Sequence, residues 1–112
     1  MIRKTKDEER HDEHTRIIGL KPKILGLEHI TLSTEEVNLF YGGKIVSQPD
    51  NLMFDPRSKR IYNIEYKLRH GEHQKHHAHN QLIKANVLLK RIFEDYEIIN
   101  LYVHDDYKFE RY

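Results

Sequence analysis

Three side chains in this sequence have the types and spacing for chemistry on a phosphate. Asp50 follows Pro49, and after fourteen intervening residues comes Glu65-Tyr66-Lys67. Two carboxylates brought together repel each other and are tolerated when a divalent cation or a lysine neutralises them. Hard oxygen ligands favour Mg²⁺ or Mn²⁺, which keep waters in their remaining positions. Such an ion polarises a phosphate and lowers the pKa of a bound water. Lys67 then has a role in positioning or deprotonating that water and in stabilising developing charge. The plainer alternative is a surface hairpin whose Glu–Lys pair contributes ~0–1 kcal/mol. An acid-x-Lys tripeptide arises cheaply, as Asp106-Tyr107-Lys108 in the tail shows. The weight therefore rests on the elements that surround the three residues.

Those elements follow from periodicity. Residues from about Thr5 to Ile18 form a polar helix with a thin apolar face, ended by Gly19 and Pro22. It packs loosely or on a partner. The stretch Lys23 to Leu32 is mixed and unassigned. Ser33 to Glu36 matches a capping box, predicting a short helix from Thr34 to Tyr41 that stops at Gly42-Gly43. Lys44 to Phe54 then predicts a strand, bent or at an edge because of Pro49. Asp55 to Ser58 is a turn signal. Arg60 to Arg69 is the clearest strand, with Tyr62, Ile64, Tyr66 and Leu68 alternating with Asn63, Glu65, Lys67 and Arg69. Residues i and i+2 of a strand share a face, so Glu65 and Lys67 project together while Tyr66 turns into the core. The two strands make a hairpin that brings Asp50 beside Glu65. A long helix from Glu72 to Tyr96 follows, with Leu82, Ala85, Leu89, Ile92 and Tyr96 as its stripe. Glu97 to Val103 is a last buried strand. The strand–helix–strand end implies a crossover and a small mixed sheet flanked by helices, an α/β fold. All 112 residues form one domain, with a polar helix over 1–20, a core over about 33–103 and a short tail over 104–112.

A second group is the histidines. Five of the nine lie between His70 and His79, at the start of the long helix. His76 and His77 each lie one turn from His73, a spacing that suits a transition metal. A plain polar helix face is the simpler explanation. A third is a phosphate-contacting face made by His73, His76 and His77 with Lys75 and Lys84, strengthened below pH ~6.5 as imidazoles gain charge. Seven tyrosines are many for this length. Stacking on bases is open to them, but core or interface packing suits Tyr62, Tyr66 and Tyr102 better.

Composition narrows the classes. Hydrophobic residues are 38%, charged residues 33% and net charge is +1, as in a globular domain whose bulk charge does not announce a nucleic-acid binder. The absence of cysteine excludes disulfides and thiolate metal sites. No apolar run nears the ~20 residues of a membrane span, and the charged N-terminus lacks a signal-peptide core, so an intracellular protein is expected.

The order Pro49-Asp50 on one strand, Glu65-Tyr66-Lys67 on the next, then a long helix and a strand resembles the PD-(D/E)XK nuclease superfamily over about Ser33 to Val103. It is similar to the small restriction-endonuclease-like cores, α-β-β-β-α-β in order, that Holliday-junction resolvases share. The resemblance implies Mg²⁺- or Mn²⁺-dependent hydrolysis of phosphodiester bonds in DNA. Asp50 and Glu65 would hold the metal, with the Tyr66 carbonyl as a further ligand, and Lys67 would serve the water. Many members add a Glu from the first helix, for which Glu36 and Glu28 are both candidates and Glu36 is preferred. Many also carry a Gln on the helix after the lysine, a part that falls to Gln81. Cutting two strands needs two sites, so a homodimer is expected. Two alternatives stand beside this: a catalytically silent nucleic-acid-binding or assembly module on the same fold, and a His-based transition-metal-binding protein.

Overall fold

The computed structural model describes residues 3–112. Helix α1 spans Lys6–Leu20. Thr5 caps it by accepting from the Glu8 amide, and Asp7, Glu8 and Glu9 complement the positive end of the helix dipole. A single 3-10 turn, Pro22–Leu25, follows. Helix α1 does dock, although its apolar stripe is thin. Thr15 and Ile18 are buried against the sheet, and the His14 ring stacks on Tyr66 at 5.1 Å between centroids.

Strands β1 (Leu32–Ser33), β2 (Leu39–Tyr41), β3 (Lys44–Ser47), β4 (Asn51–Asp55) and β5 (Arg60–Lys67) come next. Helix α2 (Glu72–Ile92) then leads to β6 (Glu97–His104) and β7 (Lys108–Arg111). The main sheet has the order β1-β4-β5-β6-β7. All its ladders are antiparallel except β5–β6, which the α2 crossover makes parallel. The mixed sheet expected from a strand–helix–strand end is therefore present.

The short helix expected over Thr34 to Tyr41 does not form. The Ser33 hydroxyl donates to the Gly19 carbonyl at 2.6 Å instead of capping. The Thr34 hydroxyl bonds both the amide and the carbonyl of Leu52. The amides of Glu36 and Val37 donate to the carbonyls of Asp50 and Pro49. Long-range partners thus take the groups a first helical turn would have used. Gly42 and Gly43, expected to stop that helix, instead form the two-residue turn between β2 and β3, with φ of +60° and +77°. Both values are left-handed, the geometry that favours Gly-Gly in a tight hairpin.

Other boundaries move too. Residues 44–54 form two strands in two different sheets, parted at Gln48-Pro49-Asp50. Helix α2 ends at Ile92, four residues earlier than its stripe suggested, because Phe93 and Tyr96 pack with Phe54 and the α2-side core. The tail supplies β7, which pairs with β6. The chain thus has more strands than the α-β-β-β-α-β order.

Alternation divides the core by face. Ile18, Met53, Ile64, Tyr66, Leu101 and Val103 fill the α1 side. Leu52, Ile61, Leu89 and Ile98 pack with α2, and Tyr102 meets Ala78 and Leu82 of the same helix. Glu65 and Lys67, one step out of phase with Tyr66, belong to the α2 side.

Candidate functional site

The β4–β5 ladder builds the site. Its register runs from Asp55↔Arg60 to Asn51↔Ile64. One more step sets Asp50, just before β4, opposite Glu65. Directly opposed residues of an antiparallel pair share a face, so the two carboxylates meet. Asp50 Oδ2 also accepts the Tyr66 amide at 2.8 Å. Lys67 projects on the same side, its Nζ 3.8 Å from Glu65 Oε1. The three residues singled out by spacing are thus together. Asn51 anchors the turn that carries Asp50: its side-chain amide donates to the carbonyls of Thr15 in α1 and Thr34, both at 2.9 Å.

Charge at this corner is unbalanced. Glu65 is only 4% exposed. Burial first, and then the neighbouring Asp50 charge, push its carboxyl well above the usual range; Lys67 pulls back only in part. A buried Glu65 beside a half-buried Asp50, with one lysine, is short of positive charge. A histidine also sits beside Asp50. His11 of α1 points Nε2 at Asp50 Oδ2 (3.4 Å) and at the Tyr66 carbonyl (3.1 Å). Its hydrogen bond to Asp50 raises its pKa, against the opposing effect of burial, and favours the imidazolium. On the outer side, Lys67 Nζ donates to His77 Nδ1 at 3.1 Å, and the lysine charge lowers the His77 pKa. His77 is thereby biased toward neutral, which works against its serving as a cationic phosphate contact.

The other predicted residues divide. Glu36 lines the cleft that contains Asp50, but from a loop residue with φ +45° and not from a helix. Glu28 lines a separate hollow with Gly26, His29 and Arg60. Gln81 lies one turn beyond His77 on α2, half-buried, with Oε1 lacking a hydrogen-bond partner. His73, His76 and Lys84 are exposed on α2. Lys75 is held by Glu110 at 3.2 Å. The helix facing Asp50 is α1, and the residues missed are His11 and Asp12. Their signal was the spacing His11, Thr15, Ile18, a three- and four-residue stripe that is polar at one end.

Two clefts flank α1. One, of about 340 Å³, is lined by Glu9, Asp12, Glu13, Glu35, Glu36 and Asp50 against Arg16 and His11. The other, of about 490 Å³, is mixed and includes Lys4, Lys67 and Arg69. The approach to Asp50 is acidic where a basic groove would have favoured the enzyme. An acidic mouth attracts divalent cations and repels phosphate until they bind.

The chain matches no family model, no curated protein and no solved structure. No described helix is long and apolar enough to cross a membrane.

Proposed function

We propose that the chain is a metal-dependent nuclease that hydrolyses phosphodiester bonds in DNA, with Asp50, Glu65 and Lys67 at its centre and a restriction-endonuclease-like core as its scaffold. The observation that carries this reading is the pair of opposed carboxylates at the β4–β5 edge, one of them buried and short of positive charge, with Lys67 on the same face. The donor set fits Mg²⁺ or Mn²⁺: two carboxylates and the Tyr66 carbonyl are hard oxygens. The ion would supply positive charge that polarises a phosphate and acidifies a water. The chain's own part is positional. Asp50 is fixed by the Tyr66 amide and, through Asn51, by α1. Lys67, steadied by His77, is placed to hold a water or to stabilise charge on phosphate oxygens. A second copy of the chain, meeting the exposed Tyr41, Val46, Ile83 and Val87, would give the two sites that cutting two strands requires.

A silent module on the same fold is the second reading. It is favoured by the acidic cleft and by His11, whose ring, biased toward its charged form, stands beside Asp50 where a metal would. Cleavage of labelled duplex, single-stranded and branched DNA with Mg²⁺ or Mn²⁺ separates the two. The nuclease reading expects cleavage that Asp50→Ala, Glu65→Ala and Lys67→Ala each abolish with the fold intact. Unchanged activity in Glu65→Ala sinks it, and wild-type protein inert on every substrate supports the silent module.

A further inference from the structure

A second group of ligating side chains lies away from Asp50, where the end of β6 meets β7 and the segment leading into α2. A ring nitrogen of His70, a ring nitrogen of His104 and a carboxylate oxygen of Glu110 all lie within 4.8 Å of one another. None of the three belongs to the His73–His76–His77 face. The two rings stack at 4.0 Å between centroids and 13° between planes. From this geometry we infer that His70, His104 and Glu110 form a binding site for a borderline divalent metal, Zn²⁺ being the ion that suits it best.

The donor set argues for that class. Two imidazoles and one carboxylate match zinc sites that keep a position for water or a further ligand, whereas Mg²⁺ prefers oxygens alone. The surroundings orient the donors. His104 Nδ1 faces Asp105 Oδ2 at 3.2 Å, which leaves Nε2 turned to Glu110 Oε2, also at 3.2 Å. A carboxylate behind a ligating imidazole fixes its tautomer and raises its basicity. The Tyr102 hydroxyl holds His70 Nδ1 at 2.9 Å. Lys75 Nζ takes Glu110 Oε1 at 3.2 Å, so the other carboxylate oxygen is the one presented to the site. His104 is buried and Glu110 half-buried, while His70 is exposed and held by the Tyr102 hydroxyl and by stacking on His104. A metal here would tie the edge strand β7 to β6 and to the start of α2.

The test is Zn²⁺ binding by the full chain. Protein stripped with chelator is titrated with Zn²⁺ at pH 7.5 against a chromophoric zinc indicator, and with Co²⁺ followed by its visible absorption. Wild type is expected to bind one equivalent of Zn²⁺ and to give a Co²⁺ spectrum of low coordination number. His104→Ala and Glu110→Gln are expected to weaken Zn²⁺ binding by at least about tenfold, and Asp105→Asn to weaken it by up to about tenfold. The triple variant His73→Ala/His76→Ala/His77→Ala and the single variant Asp50→Ala are expected to keep it. Should His104→Ala fail to fold by circular dichroism, Glu110→Gln decides, because Glu110 lies outside the core. The inference is overturned if wild type binds no stoichiometric Zn²⁺. It is equally overturned if Glu110→Gln binds as wild type does, or if the triple variant or Asp50→Ala abolishes binding.

Discussion

The two ligand-rich corners of this molecule differ in the company their glutamates keep. Glu65 lies in the sheet beside Asp50, and burial with a like charge pushes its carboxyl well up. Glu110 lies at the sheet edge, where hydrogen bonding to Lys75 first, and the charges of Lys75 and His104 as well, pull its carboxyl down. The first corner offers hard oxygens, and Lys67 and His11 offset its buried negative charge only in part. The second offers two imidazoles and a carboxylate whose charge is already matched. Under the two proposals, charge balance and donor softness suit the corners to different ions, Mg²⁺ or Mn²⁺ at the first and Zn²⁺ at the second.

The sharpest break of this contrast is catalytic. Asp50→Ala or Lys67→Ala is expected to cut Mg²⁺-dependent DNA cleavage by about 10²-fold or more, the scale on which a positioned acid–base group acts. Glu110→Gln is expected to leave cleavage within about twofold of wild type, since it lies outside the acid–base chemistry. Gel assays of both variants on one substrate check the difference. Equal losses would mean that the corners are one site.

The next effect is on stability. Asn51→Ala removes two hydrogen bonds that join β4 to α1 and to the Thr34 loop. It is expected to cost about 2 kcal/mol in urea unfolding, the usual scale when buried polar groups lose partners. It should also loosen Asp50 and lower cleavage. A variant as stable as wild type would show that α1 is not fastened through Asn51.

Glu65→Gln sharpens the contrast in the opposite direction. Because the folded protein raises the Glu65 pKa, its folded state holds this proton more tightly than the unfolded chain does. Stability is then lost as pH rises from the unfolded carboxyl range toward the raised folded value. Without added divalent ions, Glu65→Gln is expected to have a higher Tm than wild type at neutral pH, with the gap closing toward pH 4. Glu110 has a lowered pKa, so Glu110→Gln is expected to show no such gain. A lower Tm for Glu65→Gln at every pH would contradict the charge imbalance.

The centre of the site was legible in the sequence because a β-hairpin is local. Alternation along residues 60–67 fixed which side Glu65 and Lys67 share, and the turn at Asp55 to Ser58 fixed what stands opposite. Local propensity misleads where long-range partners override it. Ser33 and Glu36 carry a helix-capping pattern, yet the Gly19 carbonyl takes the Ser33 hydroxyl, Leu52 engages Thr34 and the Asp50 carbonyl takes the Glu36 amide, and the segment becomes a bent loop. His11 was hidden as well, because nothing within α1 shows that Tyr66 and Asp50 lie above it. The His70–His104–Glu110 corner was invisible for the same reason, its members being brought together only by the parallel β5–β6 ladder and the β6–β7 hairpin.

A smaller effect concerns the α2 histidines. If His73, His76 and His77 touch phosphate, their joint replacement by Ala should flatten the slope of log affinity against log salt by about 0.9 for each charged imidazole removed from the interface. His77 is biased to neutral by Lys67, so its share is expected to be the one missing near pH ~6, where ordinary imidazoles are largely charged. Binding isotherms at several salt concentrations read this directly, and a slope reduced in full at that pH would contradict the neutral assignment of His77.

A divalent ion between Asp50 and Glu65 is the central claim. Anomalous scattering from crystals grown with Mn²⁺ locates that ion without reference to activity. The expected result is a peak within coordination distance, ~2.1–2.3 Å, of the Asp50 and Glu65 carboxylates and the Tyr66 carbonyl, with the His11 ring swung away or joining as a ligand. A map with no peak there, His11 still bonded to Asp50, or Mn²⁺ only at His70 and His104, would contradict it.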